Sequence, residues 1–189
     1  MMEVAIYLLA AGASLLAVAQ LIMRHRDGSG SRLHAFSLTV FFVVLTLDRL
    51  GGAYETSELG RMHPEFLGLA QMVQPILPVA LWIYVRALTE SDAALHRSDW
   101  RHVIPVLLGA LFYVPFLLLP AASRIPYLGD IPTPVTLTDA AVAVGLLFAD
   151  LFWIGLLVGY GITIVRRLRA HRRRVRQLFS TLPWPGCHG

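Results

Sequence analysis

The stretch 140-AAVAVGLLFADLFWIGLLVGYGITIV-165 decides the fold, together with 166-RRLRAHRRRVR-176, which follows it directly. Twenty-six helical residues rise about 39 Å at 1.5 Å each, more than the roughly 30 Å of a bilayer's hydrocarbon core. Only Asp150, the eleventh of the 26, interrupts the apolar run, and seven arginines follow within 11 positions. An apolar span that ends in dense arginine predicts a helix whose C-terminal end faces the cytoplasm.

Four more segments of similar character lie upstream, at residues 4–23, 33–54, 66–85 and 103–122. The second carries Asp48-Arg49 near its end. Apolar residues make up 56% of the chain and charged ones 15%, against about 25% charged in ordinary soluble domains. This composition excludes a disordered tail and a collagen-like fibre, and the single Cys187 excludes an internal disulfide framework. The first span is too long for a signal-peptide core and no arginine precedes it, so it reads as retained.

All 16 basic charges are arginine. With five spans, 13 fall on one side: Arg24, Arg26 and Arg32, then Arg86, Arg97 and Arg101, then the seven of the tail. Arg49, Arg61 and Arg124 remain on the other side, among Glu3, Glu55, Glu58, Glu65, Asp130 and Asp139. The asymmetry predicts an all-α polytopic membrane protein with its N-terminus outside and a basic C-terminal tail in the cytoplasm. Tyr7, Tyr54, Trp82, Tyr84, Trp100 and Tyr127 fall near the predicted interfaces. Thr138-Asp139 predicts the cap of the last span. Residues 125–138, rich in proline, read as an outer loop, and residues 27–31 as an inner turn. No internal repeat or second, soluble domain is visible.

Asp150 is the foremost candidate for chemistry, because a carboxyl near the midplane is costly, roughly 2.5–3.5 kcal/mol on insertion scales. It reads either as a proton- or ligand-responsive group facing the bundle interior or as an Asp kept neutral, or bonded to Gln20, Gln71 or Gln74, that serves helix packing. Gln71, Gln74, Pro75 and Pro78 cluster in the third span, where prolines kink a helix and amides line a polar cavity or bridge helices. Pro105 and Pro115 raise the same possibility of a bend in the fourth. Gly145, Gly155, Gly159 and Gly161 allow close helix contact. Glu55, Glu58 and His63 fit no standard metal spacing. No nucleophile, phosphate-cradling or metalloprotease motif occurs, so no catalytic residue, metal or cofactor is expected, and the chain does not read as an enzyme.

Arg166, Arg167, Arg169, Arg172, Arg173, Arg174 and Arg176 occupy an amphipathic segment, residues 166–182, in which Leu168, Val175 and Leu182 recur every seven positions with Leu178 between them. It reads as a linker helix on anionic lipid, each arginine worth about 1 kcal/mol near the surface, or as one that carries movement inward. No reading helix or aromatic interleaving points to nucleic acid.

The stretches 81-LWIYVRALT-89, 100-WRHVIP-105 and 171-HRRRVRQLFSTL-182 resemble the multi-spanning N-terminal regions of membrane-bound AraC/XylS-type transcription regulators. The resemblance implies a sensory membrane region in the bacterial inner membrane, followed by further spans and a cytoplasmic helix-turn-helix domain. Residues 183–189, PWPGCHG, depart from that pattern, so DNA contact would need a C-terminal domain that this chain lacks and a truncated product is one reading. The bilayer is the expected partner, and a homodimer is open to it. A small transporter or accessory membrane subunit is the competing reading, with Asp150 on the substrate or proton path.

Overall fold

A computed structural model describes residues 2–26, 32–90, 96–127 and 136–180. Residues 27–31, much of the 125–138 loop, and the whole of 183–189 with Cys187 and Leu182 lie outside the described residues, as do the side chains of Arg24, Arg26, Arg32 and Leu178. Among the described residues there is helix and no strand.

The described residues form eight α-helices: α1 (Met2–Arg26), α2 (Arg32–Glu55), α3 (Glu58–Met62), α4 (Leu69–Val73), α5 (Ile76–Thr89), α6 (Val103–Phe112), α7 (Val114–Leu117) and α8 (Leu137–Ser180). Short 3-10 turns cover Pro64–Phe66, Arg97–His102 and Ala121–Tyr127. Four helical stretches are long and apolar enough to cross a membrane: Met2–Met23, Leu33–Glu55, Pro64–Thr89 and Leu137–Gln177. Leu9, Leu16, Leu151, Ile154 and Val158 are each more than half exposed, as side chains that face lipid are. α1 lies along α2, α2 against α4 and α5, and α5 against α8, with α6 and α7 also on α8. Pro64–Thr89 is the central element: 39% of its apolar window is buried, against 11% in the first and last stretches.

Two expected spans differ in form. The third, expected over residues 66–85, is broken at Gln74-Pro75 and runs on to Thr89. Gln74 and Leu77 make tighter, three-residue turns, with Gln74 N–H donating to Gln71 O (3.3 Å) and Leu77 N–H to Gln74 O (2.9 Å). Pro75 causes this break by removing a donor. Pro78 produces no second kink, because it occupies the first turn of α5, where a backbone N–H would be unpaired in any case.

The fourth segment, expected as a continuous helix over 103–122, ends as an α-helix at Phe112 and resumes only for Val114–Leu117. Pro115 supplies no N–H to the turn before it, and Tyr113 N–H bonds instead to Ala110 O at 3.1 Å. Residues 103–117 rise about 22 Å, short of the hydrocarbon core. Pro105, in the first turn of α6, bends nothing.

The last span and the basic segment form one helix, α8, of 44 residues, about 66 Å long. Its cap is Thr136 rather than Thr138. Asp139 N–H donates to Thr136 Oγ1 (3.1 Å), and Thr136 N–H donates back to Asp139 Oδ2 (3.0 Å), a reciprocal capping box. Close helix contact also falls elsewhere than expected. A Cβ at Gly51 would strike Ala70, one at Gly52 the ring of Tyr7, and one at Gly109 Pro75, whereas Gly155, Gly159 and Gly161 face open space. Only Gly145, against Phe112 O, packs as expected.

Candidate functional site

A cavity of about 480 Å³ opens where α1 begins and α2 ends. Chain breaks build it. After the turn at Pro64–Phe66 the backbone enters α4 through Gly68, whose φ of +85° is left-handed and suits glycine alone among common residues. A side chain there would also meet the ring of Phe116. Phe116 belongs to the short α7, and together with Leu67, Leu119 and Val142 it forms a buried apolar floor. Tyr127 meets Phe116 edge-on, centroids 5.9 Å apart. Arg124 ties this corner together by donating to Leu117 O (2.7 Å), Glu65 O (2.9 Å) and Leu119 O (3.2 Å).

The polar wall carries Glu3 from α1, Glu55 and Thr56 from the end of α2, Gln71 from α4, Tyr113 from the break after α6, and Asp150 from α8. Gln71 Nε2 donates to Glu55 Oε1 at 2.5 Å, and Gln71 Oε1 is buried without a hydrogen-bond partner. Leu146, one turn before Asp150, completes the α8 side. Of the five sequence-predicted response residues, the structure therefore brings Asp150 and Gln71 to one cavity. Gln74 is elsewhere: its Nε2 donates to Asp48 Oδ1 (2.5 Å), and Asp48 also pairs with Arg49 (3.3 Å). Pro75 packs on Gly109, and Pro78 is buried within α5. Asp150 is exposed, and among the described residues it makes no hydrogen bond to Gln20, Gln71 or Gln74. Glu55 and His63 do not converge with Glu58, since Glu55 turns to Gln71 and His63 pairs with Glu65 at 3.4 Å.

At the opposite end of α5 lies an ionic cluster that sequence reasoning missed. Arg86 is only 4% exposed and Asp99 7%, and Arg86 Nη1 donates to Asp99 Oδ1 at 2.7 Å. Asp99 Oδ2 also accepts from His96 N–H (2.7 Å), capping the 3-10 turn. One helical turn after Arg86, Glu90 sits 3.7 Å from its Nε and also pairs with Arg167 of α8. Arg167 Nε donates to Thr89 Oγ1 at 2.7 Å.

An aromatic stack flanks these charges. Arg86 lies over Trp82 (5.7 Å), Trp82 meets the tilted ring of His102 (4.2 Å, 42°), and His102 Nδ1 shares a hydrogen bond with Tyr160 of α8 (2.6 Å). Burial pushes His102 below its ordinary pKa; Asp99 opposes the shift and Arg86 adds to it. The signal was present in the sequence, since Trp82, Arg86 and Glu90 recur at four-residue spacing and share one helix face.

Beyond Arg167 the remaining tail arginines, Arg166, Arg169, Arg172, Arg173, Arg174 and Arg176, are exposed. α8 is thus the one helix that lines the cavity, enters the ionic cluster and carries the basic segment. Set against known proteins, the chain matches no family model, no curated protein and no solved structure.

Proposed function

We propose that the chain is the membrane-embedded sensory unit of a regulator in a bacterial cytoplasmic membrane, similar to the N-terminal regions of membrane-bound AraC-type transcription regulators. In this reading five spans cross the bilayer, residues 103–122 form the fourth, and the cavity faces outward while the basic tail lies in the cytoplasm on anionic lipid. The observation that carries the reading is the continuity of α8, which presents Leu146 and Asp150 to the cavity and Arg167 to the ionic cluster. Asp150 and Arg167 are 17 residues apart, about 25 Å along a rigid element.

The mechanism is a population shift. Occupancy of the cavity favours one placement of α8 relative to α5, and the Arg167–Glu90 contact and the exposed arginines move with it. Hydrogen exchange on the chain in lipid nanodiscs tests this. Asp150→Asn should change amide protection across residues 168–177 while leaving α1 unchanged. Identical exchange in the tail of the two proteins would overturn the reading.

The acidic cavity at membrane depth favours one competitor, a small cation transporter or accessory subunit. The ionic cluster weighs against it, since Arg86 and Asp99 are packed tightly at the far end of the same bundle. Cation flux into liposomes that is abolished by Asp150→Asn would place transport first.

A further inference from the structure

The cavity has a consistent electrostatic character. Asp48, Glu65, Asp99 and Glu90 each have a basic partner within ion-pair distance. Glu3, Glu55 and Asp150, the carboxylates of the cavity wall, have none among the described residues. Among the described residues no arginine or histidine lines the cavity. Arg124 lies over the ring of the lining residue Phe116 (5.9 Å) but spends its donors on three carbonyls. Facing the carboxylates are the rings of Tyr113, Phe116 and Tyr127 and the apolar surfaces of Leu67 and Leu146. The volume, about 480 Å³, falls in the range of small-molecule sites, roughly 300–1,000 Å³.

From this arrangement we infer that the cavity binds an organic ammonium ion: a positively charged amine head held among Glu3, Glu55 and Asp150, with its apolar body against Phe116, Leu67 and Leu146. Carboxylates that line one cavity and lack a counter-ion are stabilised by an incoming cation. Aromatic faces add attraction for the same charge. A neutral ligand of equal size leaves the carboxylates uncompensated, and an anion adds to their repulsion. Glu3 and Thr56 of the lining are exposed and leave the cavity open to a ligand beside them. The same head chemistry belongs to a free amine and to the headgroup of phosphatidylethanolamine. The inference rests on the sensory reading above only for its consequence in the tail, not for binding.

The test uses the full chain in uncharged maltoside micelles, titrated calorimetrically with 2-phenylethylamine and with its neutral counterpart 2-phenylethanol. The amine should saturate one site, and the alcohol should bind more weakly by at least about tenfold, the factor that corresponds to 1.4 kcal/mol. Asp150→Asn and Glu55→Gln should each weaken amine binding severalfold with little change in melting temperature, while Glu58→Gln, outside the cavity, should bind like the parent.

Lysophosphatidylethanolamine in place of the free amine identifies the source. Saturable binding of this lipid alone, with the same variant pattern, assigns the site to a headgroup and keeps the ammonium class. Equal affinity for amine and alcohol, indifference to both carboxylate variants, or no saturable binding by either ammonium probe overturns the inference. Hydrogen exchange of residues 168–177 in the amine-bound protein separates this result from the sensory reading. Binding with an unmoved tail defeats the sensory reading and leaves the ammonium site standing.

Discussion

The two ends of the bundle solve opposite problems with the same residue types. At the cavity end, carboxylates stand without counter-ions among the described residues around an open volume. At the other end, Arg86, Asp99, Glu90 and Arg167 neutralise one another in a packed cluster. The difference teaches where stability and responsiveness reside. A buried pair that loses one partner leaves an uncompensated charge and costs heavily, whereas an unpaired carboxylate facing a cavity contributes little to hold the fold. α8 is common to both.

The comparison breaks first at the closed end. Asp99→Ala leaves Arg86 buried without its main partner and should lower stability by about 3–5 kcal/mol, read from denaturant unfolding in micelles. Replacing both members with apolar residues, Arg86→Met with Asp99→Leu, should recover most of that loss. A small effect of Asp99→Ala would mean the pair is not a structural anchor.

Next in size is the entry to the cavity. Gly68→Ala forces a side chain into left-handed backbone, costing about 1–3 kcal/mol, and it also displaces Phe116. Both stability and ligand binding should fall together, measured by thermal unfolding and calorimetry on the same sample.

The open end should behave in the reverse sense. Asp150→Asn removes an unpartnered carboxyl from an apolar helix, so stability should hold or rise by up to about 1 kcal/mol while function suffers. A loss comparable to that of Asp99→Ala would show that the two ends do not differ as described.

The smallest effect is on pH. Burial, the leading cause, holds His102 below the ordinary 6.5, so the fold favours its neutral ring. The stability linked to that neutral ring is complete above about pH 6.5 and is lost as pH falls through the lower, folded value. Between about pH 7 and pH 5 the parent should therefore lose more stability than His102→Asn, and parallel melting curves for the two would contradict the assignment.

Much of this architecture was legible from the apolar blocks. Their lengths mark the long helices, and the unbroken run from Ala140 into the arginines foretells α8 crossing into its basic extension. Asp150 and Gln71 stood out because polar groups are costly in such helices, and the cavity joins them. Less visible was tertiary context. Pro75 and Pro78 look alike in sequence, but only the position of the first turn of α5 shows that one breaks the chain and the other does not. Gly155 and Gly159 look like packing glycines and face open space, whereas Gly51 and Gly109 admit neighbours. Arg86 counts in the sequence only as one of the 13 arginines on one side, because the charge partner that buries it, Asp99, comes from a separate turn, 13 residues on.

The central claim is that α8 couples the two ends, and a double-mutant cycle between them tests it most directly. Asp150→Asn, Glu90→Gln and the double variant are compared through the opening free energies of amides 168–177 in nanodiscs. Sites separated by about 25 Å and independent of one another should add to within about 0.3–0.5 kcal/mol. Coupling through α8 predicts a departure from additivity of about 0.5–2 kcal/mol. Additive effects would mean that the cavity and the ionic cluster are separate features of one bundle, and the account of a helix that reports occupancy across the membrane would be wrong.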